Sequence, residues 1–160
     1  MKHILLSFAA LMSAAALCAR NIDIIPRPES LVPGKGQFRI TAKTTIGALP
    51  ELRRPAEVFA ADIEPVVGYR LPVAEKGALS LAVNDALQPE EYTLAVTPKG
   101  IRIGGGSPQA VFHALQTLRQ LVAPDGTVPA VEIADKPCFA HRGGMLDSGR
   151  HFWTVDEVKR

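Results

Sequence analysis

Cysteine is scarce in this 160-residue chain, which holds only Cys18 and Cys138. Two thiols exclude a disulfide-dense scaffold and a cysteine-rich metal site. If Cys18 leaves with a leader, Cys138 stands alone and reads as a small hydrophobe rather than a nucleophile. Aromatic residues are also few, at 6%, and form no patch interleaved with basic residues. Excess charge is missing too, since 18 basic and 16 acidic residues leave +2. With no basic stripe, nucleic acid is not expected as a partner. Internal repeats and low-complexity linkers are absent as well.

What remains is the composition of a globular protein, 47% hydrophobic and 21% charged. The length fits one domain and a fragment of another. The first residues, "MKHILLSFAALMSAAALCAR", have Lys2, an apolar run from Ile4 to Leu17, then small residues. That order predicts a signal peptide over 1–19 and an exported protein, periplasmic or extracellular. Cleavage is expected after Ala19, with Cys18 as the alternative. The run is too short for a membrane span. Lipidation of Cys18 ranks second, because Leu17 precedes it where a lipoprotein signal has a small residue.

Downstream, Pro26, Pro28 and Pro33 favour an extended lead-in. "GQFRITAKTTIGAL" alternates and reads as one strand. "RRPAEVFAADIEPVVGYRL" reads as a helix, with Phe59, Ile63 and Val67 at four-residue spacing. Pro55 suits its first position, Pro65 should end or bend it, and Gly68 terminates it. "ALSLAVND" follows as a strand. Tyr92, Leu94 and Val96 alternate, and Thr97-Pro98-Lys99-Gly100 turns the chain back into "IRI", which predicts a hairpin. "SPQAVFHALQTLRQLVAPDG" is a helix capped by Ser107, with Val111, Leu115, Leu118 and Val122 as its apolar stripe. Asp125-Gly126 turns into the strand "VPAVEIAD". The order predicts an α+β fold: a predominantly antiparallel sheet with two helices on one face.

Gly104 to Gly106 stand between a strand and a helix, where a phosphate loop would stand. The Lys-Ser or Lys-Thr of that loop is missing, so the glycines are read as a tight turn into the capped helix. His113 lies beside the apolar stripe and reads as a packing residue. His141 and His151 have no third ligand nearby, and no metal is expected.

The densest polar chemistry is "HRGGMLDSGRHF", residues 141–152. "RGGMLD" reads as a strand with Asp147 near its end, and "SGRHF" as the loop beyond. "TVDEVKR" then starts a helix, capped by Thr154 with Glu157 closing a capping box. Strand, polar loop and helix form the first unit of a (β/α) structure. An ordinary edge strand ending in a salt-bridged loop fits the same residues.

At these residues the chain resembles the family-20 glycoside hydrolases, the β-N-acetylhexosaminidases. "HRGGMLDSGRHF" is similar to that family's strand-one signature. Supporting stretches are "IIPRPESLVPGKGQF", "EEYTLAVTPKGIRIGGGSPQAVFHALQTLRQLV" and "VPAVEIADKPCFAHRG", in the family's order. Cys138 stands where the family commonly has Arg, and Gly149 where it commonly has Ser. The resemblance implies a non-catalytic amino-terminal α+β domain over 20–136. It also implies the first strand of a truncated (β/α)₈ catalytic barrel over 137–160. The family's catalytic Asp–Glu pair lies several barrel strands downstream, so no catalytic residue is expected here and the chain alone should be inactive. The implied reaction removes terminal β-linked N-acetylglucosamine or N-acetylgalactosamine from a glycan with retention, the substrate's own acetamide oxygen attacking the anomeric carbon. Arg142 matches the family's arginine for the outer sugar hydroxyls; Asp147, Arg150 and His151 are expected to support its loop. No cofactor is implied. Two alternatives are a secreted, non-catalytic α+β docking module and another glycosidase family that shares this amino-terminal domain. "RGGMLDSGRHF" argues against the second.

Overall fold

The computed structural model describes residues 22–150 and 152–159. The expected signal peptide and His151 lie outside the described residues. The strands are β1 (Ser30–Arg39), β2 (Ile46–Gly47), β3 (Val73–Ala74), β4 (Leu79–Val83), β5 (Tyr92–Thr97), β6 (Gly100–Gly105) and β7 (Thr127–Asp135). The helices are α1 (Arg53–Val67), α2 (Pro108–Leu121) and the single turn α3 (Val155–Val158).

The strands form one sheet in the order β1-β7-β5-β6-β4-β2-β3. The pairs β1/β7, β7/β5 and β5/β6 are antiparallel. The pairs β6/β4, β4/β2 and β2/β3 are parallel. The sheet is therefore mixed, which corrects the expectation of a predominantly antiparallel one. The reason is the crossover: α1 carries the chain back to the starting end, so β3 runs the same way as β2. The chain then passes the end of β2 so closely that a Cβ on Gly77 would stand 2.1 Å from the Thr45 carbonyl oxygen.

Alternation decides which face is buried. Tyr92, Leu94 and Val96 of β5 are buried, as are Ile101 and Ile103 of β6 and Val131 and Ile133 of β7. Leu94 sits opposite both Ile103 and Ile133, so these side chains share a face. Against that face lie Phe59 and Ile63 of α1 and Val111, Leu115 and Leu118 of α2, in one cluster. The two-helix layer expected from the sequence is present.

Helix ends follow local chemistry. The Ser107 hydroxyl accepts from the Ala110 amide at 3.2 Å, and Pro108 opens α2. Gly68, at φ 82°, ends α1 and donates its amide to the Glu64 carbonyl at 2.8 Å. Pro65 sits inside α1 and does not end it. Pro55 stands two positions inside the helix, because the 3₁₀ turn Pro50–Leu52 feeds α1 from Arg53.

The single strand expected over 36–49 is two strands. Thr41 and Thr44 break it: the Thr44 amide donates to the Thr41 carbonyl at 2.8 Å, and the Thr41 amide to Thr44 Oγ1 at 2.9 Å. β1 begins earlier and includes Pro33, which an edge strand tolerates. β3 was not anticipated; two residues carry no readable alternation.

Candidate substrate-binding segment

The segment that carries the predicted site leaves the sheet at the end of β7. Its root is fixed. Tyr92 donates its hydroxyl to Asp135 Oδ2 at 3.0 Å, and Asp135 Oδ1 accepts the Glu29 amide at 3.0 Å. Beyond Asp135 the described chain up to Arg150 has no helix and no strand. The strand expected over "RGGMLD" is thus not formed here. A strand needs a ladder partner for its backbone groups, and none lies beside these residues. Met145 is 95% exposed and Phe139 74%. The turn after it forms as expected: Thr154 and Glu157 make a reciprocal capping box at the start of α3. The Thr154 amide and hydroxyl, both donating to Glu157 Oε2, hold that carboxyl below its usual range.

Arg142 is engaged chiefly with a residue far along the chain. Its Nη2 stands 2.5 Å from Glu90 Oε1, its Nη1 donates to Glu90 Oε2 at 3.4 Å, and Nη1 also donates to the Phe139 carbonyl. Glu90 lies in the loop before β5 and is itself held from α2. Gln109 Nε2 donates to Oε1 at 3.0 Å, and His113 Nε2 stands 3.5 Å away. That His113 nitrogen is buried and makes no hydrogen bond. The Arg142 guanidinium, helped by the nearby imidazole, holds the Glu90 carboxyl below the usual carboxylate range.

The other predicted residues stand apart. Asp147 Oδ1 accepts the Gly149 amide at 2.9 Å, and Oδ2 stands 3.7 Å from Arg150 Nε. Asp147 and Arg150 therefore tie their own loop and do not reach Arg142. Sequence reasoning missed Glu90 altogether. It is 52 residues from Arg142, and no local spacing joins them. One adjacent Asp–Glu pair does occur, Asp156-Glu157, but it sits in the first turn of α3 with Glu157 committed to the cap.

Among the described residues no group of three or more His, Cys, Asp or Glu side chains is placed to hold a metal ion. No helix among them is long and apolar enough to cross a membrane. A broad groove runs between the amino-terminal stretch and β1, lined by Asp23, Arg27, Gln37 and Thr127 among others. It includes neither an aromatic wall nor Arg142.

Residues 21–136 match the family model described as glycosyl hydrolase family 20, domain 2. The chain belongs to glycoside hydrolase family 20. The family's domain ends at 136, just after β7 and just before the segment that carries Arg142. Among curated proteins, a β-hexosaminidase of Porphyromonas gingivalis is 33% identical over 159 residues, covering 88% of this chain and 20% of the relative. A β-N-acetylhexosaminidase of Cellulomonas fimi is 36% identical over 155 residues, covering 87% of this chain and 31% of the relative. A solved N-acetyl-β-hexosaminidase of Streptomyces plicatus, in complex with Thio-NAglucal, superposes with a TM-score of 0.78 at 37% identity. That match covers 85% of this chain and 30% of the other. This family-20 chain thus spans between a fifth and a third of the length of these relatives.

Proposed function

We propose that this chain is the amino-terminal part of an exported β-N-acetylhexosaminidase. In that enzyme a terminal β-linked N-acetylglucosamine or N-acetylgalactosamine is removed from a glycan. The observation that carries the reading is the family domain over 21–136 running directly into "HRGGMLDSGRHF". Residues from 137 onward supply the first strand of a (β/α)₈ barrel, whose other strands bring the catalytic Asp–Glu pair. The acetamide oxygen of the substrate attacks the anomeric carbon as the glycosidic bond breaks. A glutamic acid protonates the departing oxygen, and its neighbouring aspartate orients the acetamide. Water then opens the cyclic intermediate with retention.

Arg142 grips the outer sugar hydroxyls in this reading. Its fixed fork of donors suits two adjacent oxygens, as its double contact with the Glu90 carboxylate illustrates. The domain over 21–136 serves as support and holds no sugar pocket of its own. Asp147 and Arg150 shape the loop beyond, as His151 is expected to do. The test is hydrolysis of a chromogenic N-acetyl-β-glucosaminide. The product of the complete reading frame should release chromophore, and residues 1–160 alone should not. Release by residues 1–160, with host enzymes excluded, would overturn the placement of the catalytic pair downstream. A complete product that is folded yet inert on both glucosaminide and galactosaminide would overturn the reading itself.

A further inference from the structure

Asp135 stands where the sheet releases the chain. The β5/β7 ladder ends on the pair Tyr92–Asp135, and the β1/β7 ladder ends one residue earlier, on Ser30–Ala134. Past that point the Asp135 side chain takes over from the backbone. One carboxylate oxygen accepts the Glu29 amide at 3.0 Å, which carries the link on the β1 side one residue further. The other accepts the Tyr92 hydroxyl at 3.0 Å, on the β5 side. That hydroxyl also meets Thr117 of α2 at 2.7 Å, so the clamp reaches the helix layer. None of these contacts involves a residue beyond Asp135. They belong to the amino-terminal domain itself, whatever later covers the segment.

The chain then leaves through Lys136 and Pro137. Pro137 fixes its own φ and biases Lys136 toward extended backbone. Arg142 follows seven positions after Asp135. At about 3.3–3.6 Å per residue such a tether reaches at most about 25 Å, so the point and direction of exit bound where Arg142 stands. We propose that Asp135 is a positioning residue for the sugar: its two-sided clamp sets how the chain leaves the amino-terminal domain, and so places Arg142 in the pocket. The domain thereby governs the binding of a sugar that it does not touch. The inference rests on the reading of Arg142 as a sugar ligand.

The test is a double-mutant cycle in the product of the complete reading frame. The substrate is an N-acetylglucosaminide, and each variant is assayed well below its melting temperature. A shift of about 1 Å in a substrate-binding group costs up to roughly a hundredfold, so Asp135→Ala should lower kcat/KM about ten-fold or more. Asp135→Asn should stay within about threefold of the parent, because its oxygen accepts the Glu29 amide while its amide nitrogen donates to the Tyr92 oxygen. With Arg142→Lys already present, Asp135→Ala should have little further effect, since both changes act through one group. A merely structural Asp135 gives a different pattern: a lowered melting temperature with kcat/KM intact, or a loss that multiplies fully with that of Arg142→Lys. Either result would overturn the inference, as would Asp135→Asn losing as much as Asp135→Ala. An Arg142→Lys enzyme with unchanged kcat/KM would remove the sugar reading of Arg142 and the inference with it. An impaired Arg142→Lys beside a fully active Asp135→Ala would remove the inference alone. Should Asp135→Ala not fold, Tyr92→Phe keeps the ring, frees one carboxylate oxygen and carries the same cycle, with an expected loss of about threefold or more.

Discussion

Tyr92 joins three elements through one hydroxyl. The ring is buried on β5, and its oxygen meets Thr117 of α2 at 2.7 Å and Asp135 of β7 at 3.0 Å. A carboxylate only accepts, so the phenol proton goes to Asp135 and Thr117 donates to the phenol oxygen. Burial, reinforced by the Asp135 charge, pushes the Tyr92 hydroxyl up to about 12, against the opposing bond from Thr117. The folded state thus favours the neutral phenol. That contribution is complete below the ordinary tyrosine range near 10 and is lost as pH rises from there through about 12. Tyr92→Phe keeps the ring and strands two polar partners, so urea unfolding should show a loss of about 1–2 kcal/mol. The variant should also lose part of the alkaline decline between those pH values. A stability equal to the parent at neutral pH would show that water satisfies Thr117 and Asp135 equally well. The same residue also ties the root of the Arg142 segment to the core, which links packing to the site.

The passage from β6 into α2 shows why an element's chemistry must be read in three dimensions. Gly104 to Gly106 were read as giving the freedom to turn, yet neither Gly105 nor Gly106 adopts a positive φ. They are small because other backbone lies against them. A Cβ on Gly106 would stand 1.9 Å from the Gln88 carbonyl oxygen, and one on Gly105 would stand 2.6 Å from the Val111 nitrogen. Gly106→Ala should therefore destabilise by more than the roughly 1 kcal/mol typical of point changes, through the Gln88–Glu91 loop as well as α2. A melting temperature within a degree of the parent would show that this loop yields freely. The hairpin β5–β6 and the capped helix α2 were legible because their signals are local: a Pro-Lys-Gly turn, a serine cap, a repeating stripe. The split of the first strand, the two-residue β3 and the parallel half of the sheet were not, because they depend on partners far along the chain. Arg142 stands out in the sequence only through its motif, and its role toward a sugar rests on that resemblance. Its partner Glu90 does not stand out, since a pairing across 52 residues leaves no spacing to read.

At the scale of the molecule, one sheet carries two helices on its buried face, and the chain beyond Asp135 lies outside that core. The exposed side chains there are unusually apolar: Phe139 at 74%, Met145 at 95% and Phe152 at 78%. Such groups gain by cover, and the further barrel strands of the proposed enzyme would provide it. Arg142 would then stand in a sugar pocket rather than on a surface. The most direct measurement compares kinetics and melting of Arg142→Lys with the parent in the product of the complete reading frame. Lysine keeps the charge and loses the fork. With hydrogen bonds to charged groups contributing about 1.5–3 kcal/mol each, kcat/KM for an N-acetylglucosaminide should fall roughly ten-fold to several thousand-fold. The melting temperature should hardly move, because a residue that serves the sugar contributes little to the fold. A well-folded Arg142→Lys enzyme with unchanged kcat/KM would contradict the assignment of Arg142 to the sugar, and a lowered melting temperature with intact kinetics would make it a structural residue instead.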